Sequence, residues 1–268
     1  MTQAIAYPPR WLRTIERYRQ LVTVFKGWPR FLACKWGWLK GDLALETRSG
    51  LKVLVPEQAR FEFKDVFLHR AYGFRPVLER LPGAPVILDI GANVGFFSLF
   101  AFLCRPDARC LAFEPLDANF RILQRQRESN PACRWELFPE AVMGRDGDVQ
   151  ICSQKAGQVD ASALVAPGDA PPPPGGACPQ RVKARSLPTI LAAFGLSRCD
   201  WLKLDCEGSE FEILYQCPPE ILQRTDSISV EIHDQDNSTR NATALCAYLA
   251  KHGFRLFQAD DAVVHALR

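Results

Sequence analysis

The chain has 268 residues, 47% of them hydrophobic, and a formal net charge of +3; this is enough apolar sequence for one domain with an extension, or for two small ones. So small a net charge gives no reason to expect a nucleic-acid partner. The sequence has no run of about 18 uncharged apolar residues and no short apolar leader followed by a small-residue cleavage site, so a membrane-spanning helix is excluded and a cytoplasmic protein is expected.

Residues 1–45 read as a basic N-terminal helical extension, with eight Lys or Arg in the first 40 residues against the single acid Glu16. Trp11, Ile15, Tyr18, Leu21, Val22 and Phe25 recur at helical spacing, and Arg10, Arg13, Arg17 and Arg19 fall mostly elsewhere around the wheel. Such a helix suits a cap packed on the main domain, or peripheral contact with an anionic membrane or a lipid-linked substrate. Residues 46–268 read as the main domain, with a hairpin and entry segment over 46–80. There "LALETRSGLKVLVPE" alternates on both sides of Ser49-Gly50, the pattern of a β-hairpin.

From residue 81 to 268 the rhythm is strand, turn, helix. Val86 to Asp89 forms a first strand, followed by a helix carrying Phe96, Phe97, Leu99 and Phe100. "RCLAFEP" gives a second strand, "LDANFRILQRQRESN" a helix and "RWELFPEAV" a third strand. The stretch 144–186 is less regular, with a strand in "GDVQI" and an exposed proline-rich loop in "PGDAPPPPGGACP". A helix over Pro188 to Phe194, a fourth strand in "DWLKLDCEG", a helix from Ser209 to Tyr215 and a fifth strand in "SISVEIHD" follow. A last helix and the segments "GFRLFQ" and "AVVHAL" close the chain. Near-continuous apolar strands alternating with helices predict a largely parallel sheet covered on both faces. The ten scattered cysteines form no C-x-x-C pair and are expected as reduced core thiols.

Ligands of such sheets bind outside the carboxyl ends of the strands, where Asp89, Glu114 and Asp205 fall. The turn Gly91-Ala92-Asn93-Val94-Gly95 lets a ligand approach the backbone and aims helix N–H groups at it. Its spacing departs from the G-x-G-x-x-G of nicotinamide sites. Asp89 would repel a pyrophosphate, whereas S-adenosylmethionine carries a sulfonium and an ammonium. Asp89 would act on that ligand directly, through water or through backbone N–H groups. Glu114 stands where either cofactor class places a carboxylate for the ribose hydroxyls; the bland alternative makes both acids helix caps.

In order along the chain, "ILDIGANVGFFSL", "AFEPLDANFRIL", "EAVMGRDGDV", "DWLKLDCEGSEFEIL" and "SVEIH" resemble the FkbM family of S-adenosylmethionine-dependent methyltransferases over roughly residues 55–260. The resemblance implies the Rossmann-like class I methyltransferase fold, a mostly parallel seven-stranded sheet with one antiparallel strand near its end. It implies O-methylation of a small-molecule or glycan hydroxyl. It also implies a cofactor site of Asp89, Gly91, Asn93, Gly95, Glu114, Pro115, Glu140, Ala141 and Asp205. Pro188 departs from the family, which usually has an acid after "SL".

A hydroxyl is a poor nucleophile while protonated, so a base or a metal is needed. Period-two alternation puts Lys203 with Asp205 on one face of the fourth strand, and Glu231 with His233 on the matching face of the fifth. Asp205, His233, Glu207 and Glu231 are the catalytic candidates. Asp205 is expected nearest the methyl, and His233 is expected to be a neutral imidazole acting as base. Lys203 and Glu231 are expected as a buried ion pair, and Glu210 as support for a helix N-terminus. The spacing of Asp205, Glu231 and His233 admits a metal without requiring one, and none is expected. Two other readings stay open: a nicotinamide-dependent oxidoreductase, and a non-catalytic adenosine-binding scaffold.

Overall fold

The computed structural model describes residues 3–4, 10–69, 75–153, 163–167, 180–258 and 262–268. Strand β1 (Gln3–Ala4) precedes helices α1 (Arg10–Val24) and α2 (Trp28–Lys35). The hairpin expected about Ser49-Gly50 is β2 (Leu43–Glu46) and β3 (Lys52–Val55), paired antiparallel. After α3 (Arg60–Lys64), a π-helical turn over Asp65–His69 and α4 (Arg75–Arg80), the main sheet begins. Its first units are β4 (Val86–Ile90), α5 (Phe96–Cys104), β5 (Arg109–Phe113), α6 (Asp117–Ser129) and β6 (Arg134–Phe138).

The strand expected in "RWELFPEAV" is broken at Pro139, which has no N–H for a ladder. Its end becomes a separate strand, β7 (Ala141–Val142), in a second sheet with β8 (Gly147–Ser153), β9 (Ala163–Pro167) and β10 (Gln180–Arg185). The stretch read as irregular is therefore mostly sheet in its described parts. Its periodicity was hidden because β8 and β10 pair across the insertion that carries the prolines; Pro171 to Pro174 lie outside the described residues.

The chain returns through α7 (Leu187–Ala193), β11 (Trp201–Leu204), α8 (Glu210–Tyr215), α9 (Pro219–Leu222) and β12 (Ser227–Glu231). It ends with α10 (Ala242–Lys251), β13 (Arg255–Gln258) and β14 (Val263–Leu267). The seven main strands run β13-β14-β12-β11-β4-β5-β6, with β1 added beside β13. Only β14 is antiparallel to both neighbours, as the class I methyltransferase fold requires.

Alternation along each strand builds two apolar layers. Ile87, Cys110, Ala112 and Trp201 face one layer with α5, while Leu88, Ile90, Leu111, Phe113, Leu202 and Leu204 face the other with α7 and α8. Leu21, Phe25, Phe31 and Cys34 of the N-terminal segment sit in the first layer. There Phe25 meets Phe63 and Phe67 at ring distances of 5.3 and 5.4 Å. Cys34, Cys104, Cys110, Cys133, Cys199, Cys206, Cys217 and Cys246 are free thiols. From β4 the chain winds outward to β6 on one side and from β11 to β12 on the other. The order reverses between β4 and β11, and a crevice opens at their carboxyl ends.

Candidate functional site

The turn after β4 is shaped by close backbone contact. Gly91 has a φ of +71°, and a Cβ there would lie 1.8 Å from the Asp205 carbonyl oxygen, so no side chain fits between β4 and the end of β11. The N–H groups of Gly91 and Ala92 donate to the Phe113 carbonyl, at 3.0 and 2.9 Å, tying the turn to β5. Gly95, with φ +88°, begins α5 where a Cβ would strike Leu123 and Trp135. Its part is helix packing; it does not line the cavity.

Glu114 is 4% exposed, just past the tip of β5. It accepts from the Asn93 N–H at 2.8 Å and the Leu116 N–H at 2.9 Å. Burial, only partly offset by these bonds, lifts its carboxyl to about 7. Asn93 holds a left-handed φ of +50°, and its side-chain oxygen is buried without a hydrogen-bond partner among the described residues. A buried acceptor without a donor is costly, and a ligand donor at this spot would remove that cost.

The placement of Asp89 corrects the sequence reading. It is wholly buried and does not line the cavity. Asp89 and Lys203 are register partners on β4 and β11, 3.3 Å apart as an ion pair, and Ser98 donates to Asp89 at 2.6 Å. Lys203 also forms an ion pair with Asp205, at 3.6 Å. Burial alone would push the Lys203 ammonium down, but Asp89 and Asp205 outweigh it and hold it above its ordinary value. Lys203 also donates to the carbonyls of Ile90 and Gly91, at 3.3 and 2.5 Å. Asp89 thus reaches the ligand turn through Lys203, fixing its backbone.

A cavity of about 240 Å³ opens at this crevice. Gly91, Asn93, Glu114, Pro115, Glu140 and Ala141 line it, and so do Asp205, Glu207 and Glu231. Phe61, Glu62, Asp65 and Val66 close one side; the sequence points to the regions 55–75 and 155–185 for a substrate pocket, but no residue there carries a chemical signature that singles these four out. Glu140 is bound to Arg185 of the second sheet.

On the β11–β12 side, Asp205, Glu231 and His233 each offer a ligand atom within 4.8 Å of the other two. Glu207 has a left-handed φ of +55°, and its carboxylate lies 3.7 Å from His233 Nε2. The opposite ring nitrogen, Nδ1, meets Glu210 Oε1 at 3.0 Å. Glu210 is fully buried and also accepts from the Cys206 N–H at 2.7 Å. The neutral imidazole expected of His233 does not hold in this setting. Burial lowers its pKa, but the Glu210 bond and the charges of Glu210, Glu207 and Asp205 raise it to about 9. Burial lifts the Glu207 carboxyl to about 7 against the pull of His233.

The model of the methyltransferase FkbM domain matches residues 89–256, a span that begins at Asp89 and includes the glycine turn, Glu114 and the acid cluster. A 27% identical stretch of 269 residues aligns with the antimetabolite synthetase AmbE of Pseudomonas aeruginosa, covering 85% of this chain but 12% of that protein. The 31-O-demethyl-FK506 methyltransferase FkbM of Streptomyces tacrolimicus is 27% identical over 76% of this chain and 85% of its own. The 2-O-methyltransferase NoeI of Sinorhizobium fredii is 30% identical over 57% and 65%. With the sheet order of a class I methyltransferase and a family match over residues 89–256, the chain belongs to the FkbM methyltransferase family.

Proposed function

We propose that the chain is an S-adenosylmethionine-dependent O-methyltransferase acting on a hydroxyl of a saccharide or secondary metabolite. The observation that carries this reading is the cavity wall: Glu114, beside the orphaned Asn93 oxygen, shares one cavity with Asp205, Glu207 and Glu231. A buried carboxylate at the β5 tip suits two ribose hydroxyls, and an acidic wall suits a cationic donor. The same wall would repel the pyrophosphate of a nicotinamide cofactor. The names of two relatives, a 31-O-demethyl-FK506 methyltransferase and a 2-O-methyltransferase, agree with oxygen as the acceptor atom.

When bound, S-adenosylmethionine supplies a methyl carbon on a sulfonium, which is left as a neutral thioether. The protein's part is to align the acceptor oxygen with that carbon, exclude water and take the hydroxyl proton. The proton goes to Glu207, whose carboxylate lines the cavity and is lifted to about 7 by burial, a value suited to a base near neutral pH. Calorimetric titration with S-adenosylhomocysteine should give micromolar binding, and NAD none. Glu207→Gln should leave that affinity within about twofold while lowering kcat on an accepted hydroxyl by about 100-fold. Binding of NAD without S-adenosylhomocysteine would sink the reading.

A peripheral contact with anionic lipid is a second element of the proposal, favoured by one surface feature. Trp36 and Trp38 are 55% and 74% exposed, with ring centroids 5.2 Å apart, and Lys35 and Lys40 flank them in sequence. Tryptophan beside lysine is the composition of an interfacial anchor, and no helix among the described residues is long and apolar enough to cross a membrane. The full chain should sediment with vesicles containing phosphatidylserine, and the Trp36→Ser, Trp38→Ser double variant should lose most of that binding. Equal binding by both proteins would remove the idea.

A further inference from the structure

We propose that Asp205, Glu231 and His233 form a divalent-cation site on the acceptor side of the methyl-donor cavity. The inference deepens the methyl-transfer reading and rests on it for the cation's role. Asp205 follows β11 and Glu231 ends β12. These parallel neighbours pair Leu204 with Val230, so the register itself carries both acids to the same edge of the cavity. Ligand atoms of the three residues lie within 4.8 Å of one another. Metal bonds of about 2.1 Å set trans ligands about 4.2 Å apart and cis ligands about 3 Å apart, so the set closes by side-chain adjustment without moving the strands.

A second observation comes from behind the cluster. Glu210 is fully buried, and one of its oxygens is engaged with His233 Nδ1 at 3.0 Å. Its other oxygen, Oε2, is buried without a hydrogen-bond partner among the described residues. A carboxylate holding one histidine nitrogen so that the other points forward is the arrangement that orients metal-ligating histidines. Nδ1 is committed to Glu210, which leaves Nε2 3.7 Å from Glu207, a residue that lines the cavity; a cation held there would take the place of the Nε2 proton. Five carboxylates, Asp89, Asp205, Glu207, Glu210 and Glu231, gather here around Lys203 and His233. Concentrated, partly buried negative charge of this kind is stabilised by a cation.

Two carboxylates with one imidazole make a mixed oxygen–nitrogen set that admits first-row divalent ions, and Mn²⁺, which favours oxygen ligands, serves as the probe. Three protein ligands leave positions open for water and for the acceptor hydroxyl. A coordinated hydroxyl is easier to deprotonate. Its proton passes to Glu207, its oxygen forms the new bond to the methyl carbon, and the carbon–sulfur bond breaks with its electron pair left on sulfur.

The test uses the full chain stripped with a chelator, titrated with Mn²⁺ and followed by the electron paramagnetic resonance signal of the free ion. S-adenosylhomocysteine affinity is measured on the same samples. We expect one tight Mn²⁺ per chain, weakened at least tenfold by Glu231→Gln and by His233→Gln, with S-adenosylhomocysteine affinity changed less than twofold in both. Retained cofactor-product binding shows that each variant is folded, and either variant alone suffices if the other fails to fold. Absence of tight Mn²⁺ binding, or variants that bind it as the parent does, would overturn the site and leave the methyl-transfer reading intact. Tight Mn²⁺ binding by a protein that takes no S-adenosylhomocysteine would instead overturn the reading on which the cation's role rests.

Discussion

Lys203→Met is expected to destabilise the protein by about 3–5 kcal/mol in urea unfolding. Lys203 is 3% exposed and Asp89 wholly buried, so the substitution leaves a carboxylate in the centre of the sheet facing a thioether. It also removes the donor to the carbonyls of Ile90 and Gly91, which hold the ligand turn. Coulomb attraction lost inside a protein is not replaced by water, and the cost falls mainly on the partner left behind. The Asp89→Leu, Lys203→Met double variant should therefore recover much of the loss, because an apolar pair of similar size carries no desolvation penalty. Asp205, which is partly exposed, can be solvated in that double variant. A single-variant cost below about 1 kcal/mol, or no recovery in the double variant, would show that the pair does not hold the sheet as argued.

The parallel sheet was readable because strands covered on both faces leave uninterrupted apolar runs. "VILDI" and "WLKL" are such runs, each with a charged residue placed opposite the other across the register. The second sheet was harder to read. Its strand β10, "QRVKAR", buries Val182 and Ala184 between exposed polar residues, a weak alternation that a proline-rich insertion separates from its partner β8. The break at Pro139 was likewise masked, because the residues after it, Ala141 and Val142, still look like a continuing strand.

At the site, chemistry-bearing residue types were legible but their partners were not. Sequence alternation gives the face a residue occupies, and it correctly puts Glu231 and His233 beside Asp205. It does not give depth. Asp89 lies inside the strand span Val86–Ile90 and Glu114 one residue past the end of β5. That small offset decides that Asp89 is sealed against Lys203 while Glu114 reaches the cavity. Nor does sequence show Glu210, four residues on from Cys206, folding back to bond both the Cys206 N–H and His233. A turn that reverses at Glu207 and Gly208, both with positive φ, brings these groups together.

Glu114→Gln should weaken S-adenosylhomocysteine binding by about 100-fold, because two hydroxyl bonds to an ionised acceptor contribute about 1.5–3 kcal/mol each and an amide can replace only part of that. The amide also cannot accept from both Asn93 and Leu116 as the carboxylate does. The pH dependence identifies the group independently. Burial raises Glu114 to about 7, with Lys203 of β11 pulling it down and Asp89 of β4 pushing it up. A folded-state pKa above the ordinary 4.5 means that the free protein binds the extra proton between these values. Its contribution to stability is therefore fully present at acid pH and is lost as pH rises through 7. Ribose hydroxyls favour the ionised form, so binding lowers that pKa. Affinity should then fall by up to about tenfold per pH unit below 7 and level off above it. The rise in Tm on adding the ligand should accordingly be larger at pH 8 than at pH 6, and Glu114→Gln should abolish the difference. A wild-type affinity unchanged from pH 5.5 to 8, or the same slope in the variant, would mean that the ligand does not engage this carboxylate.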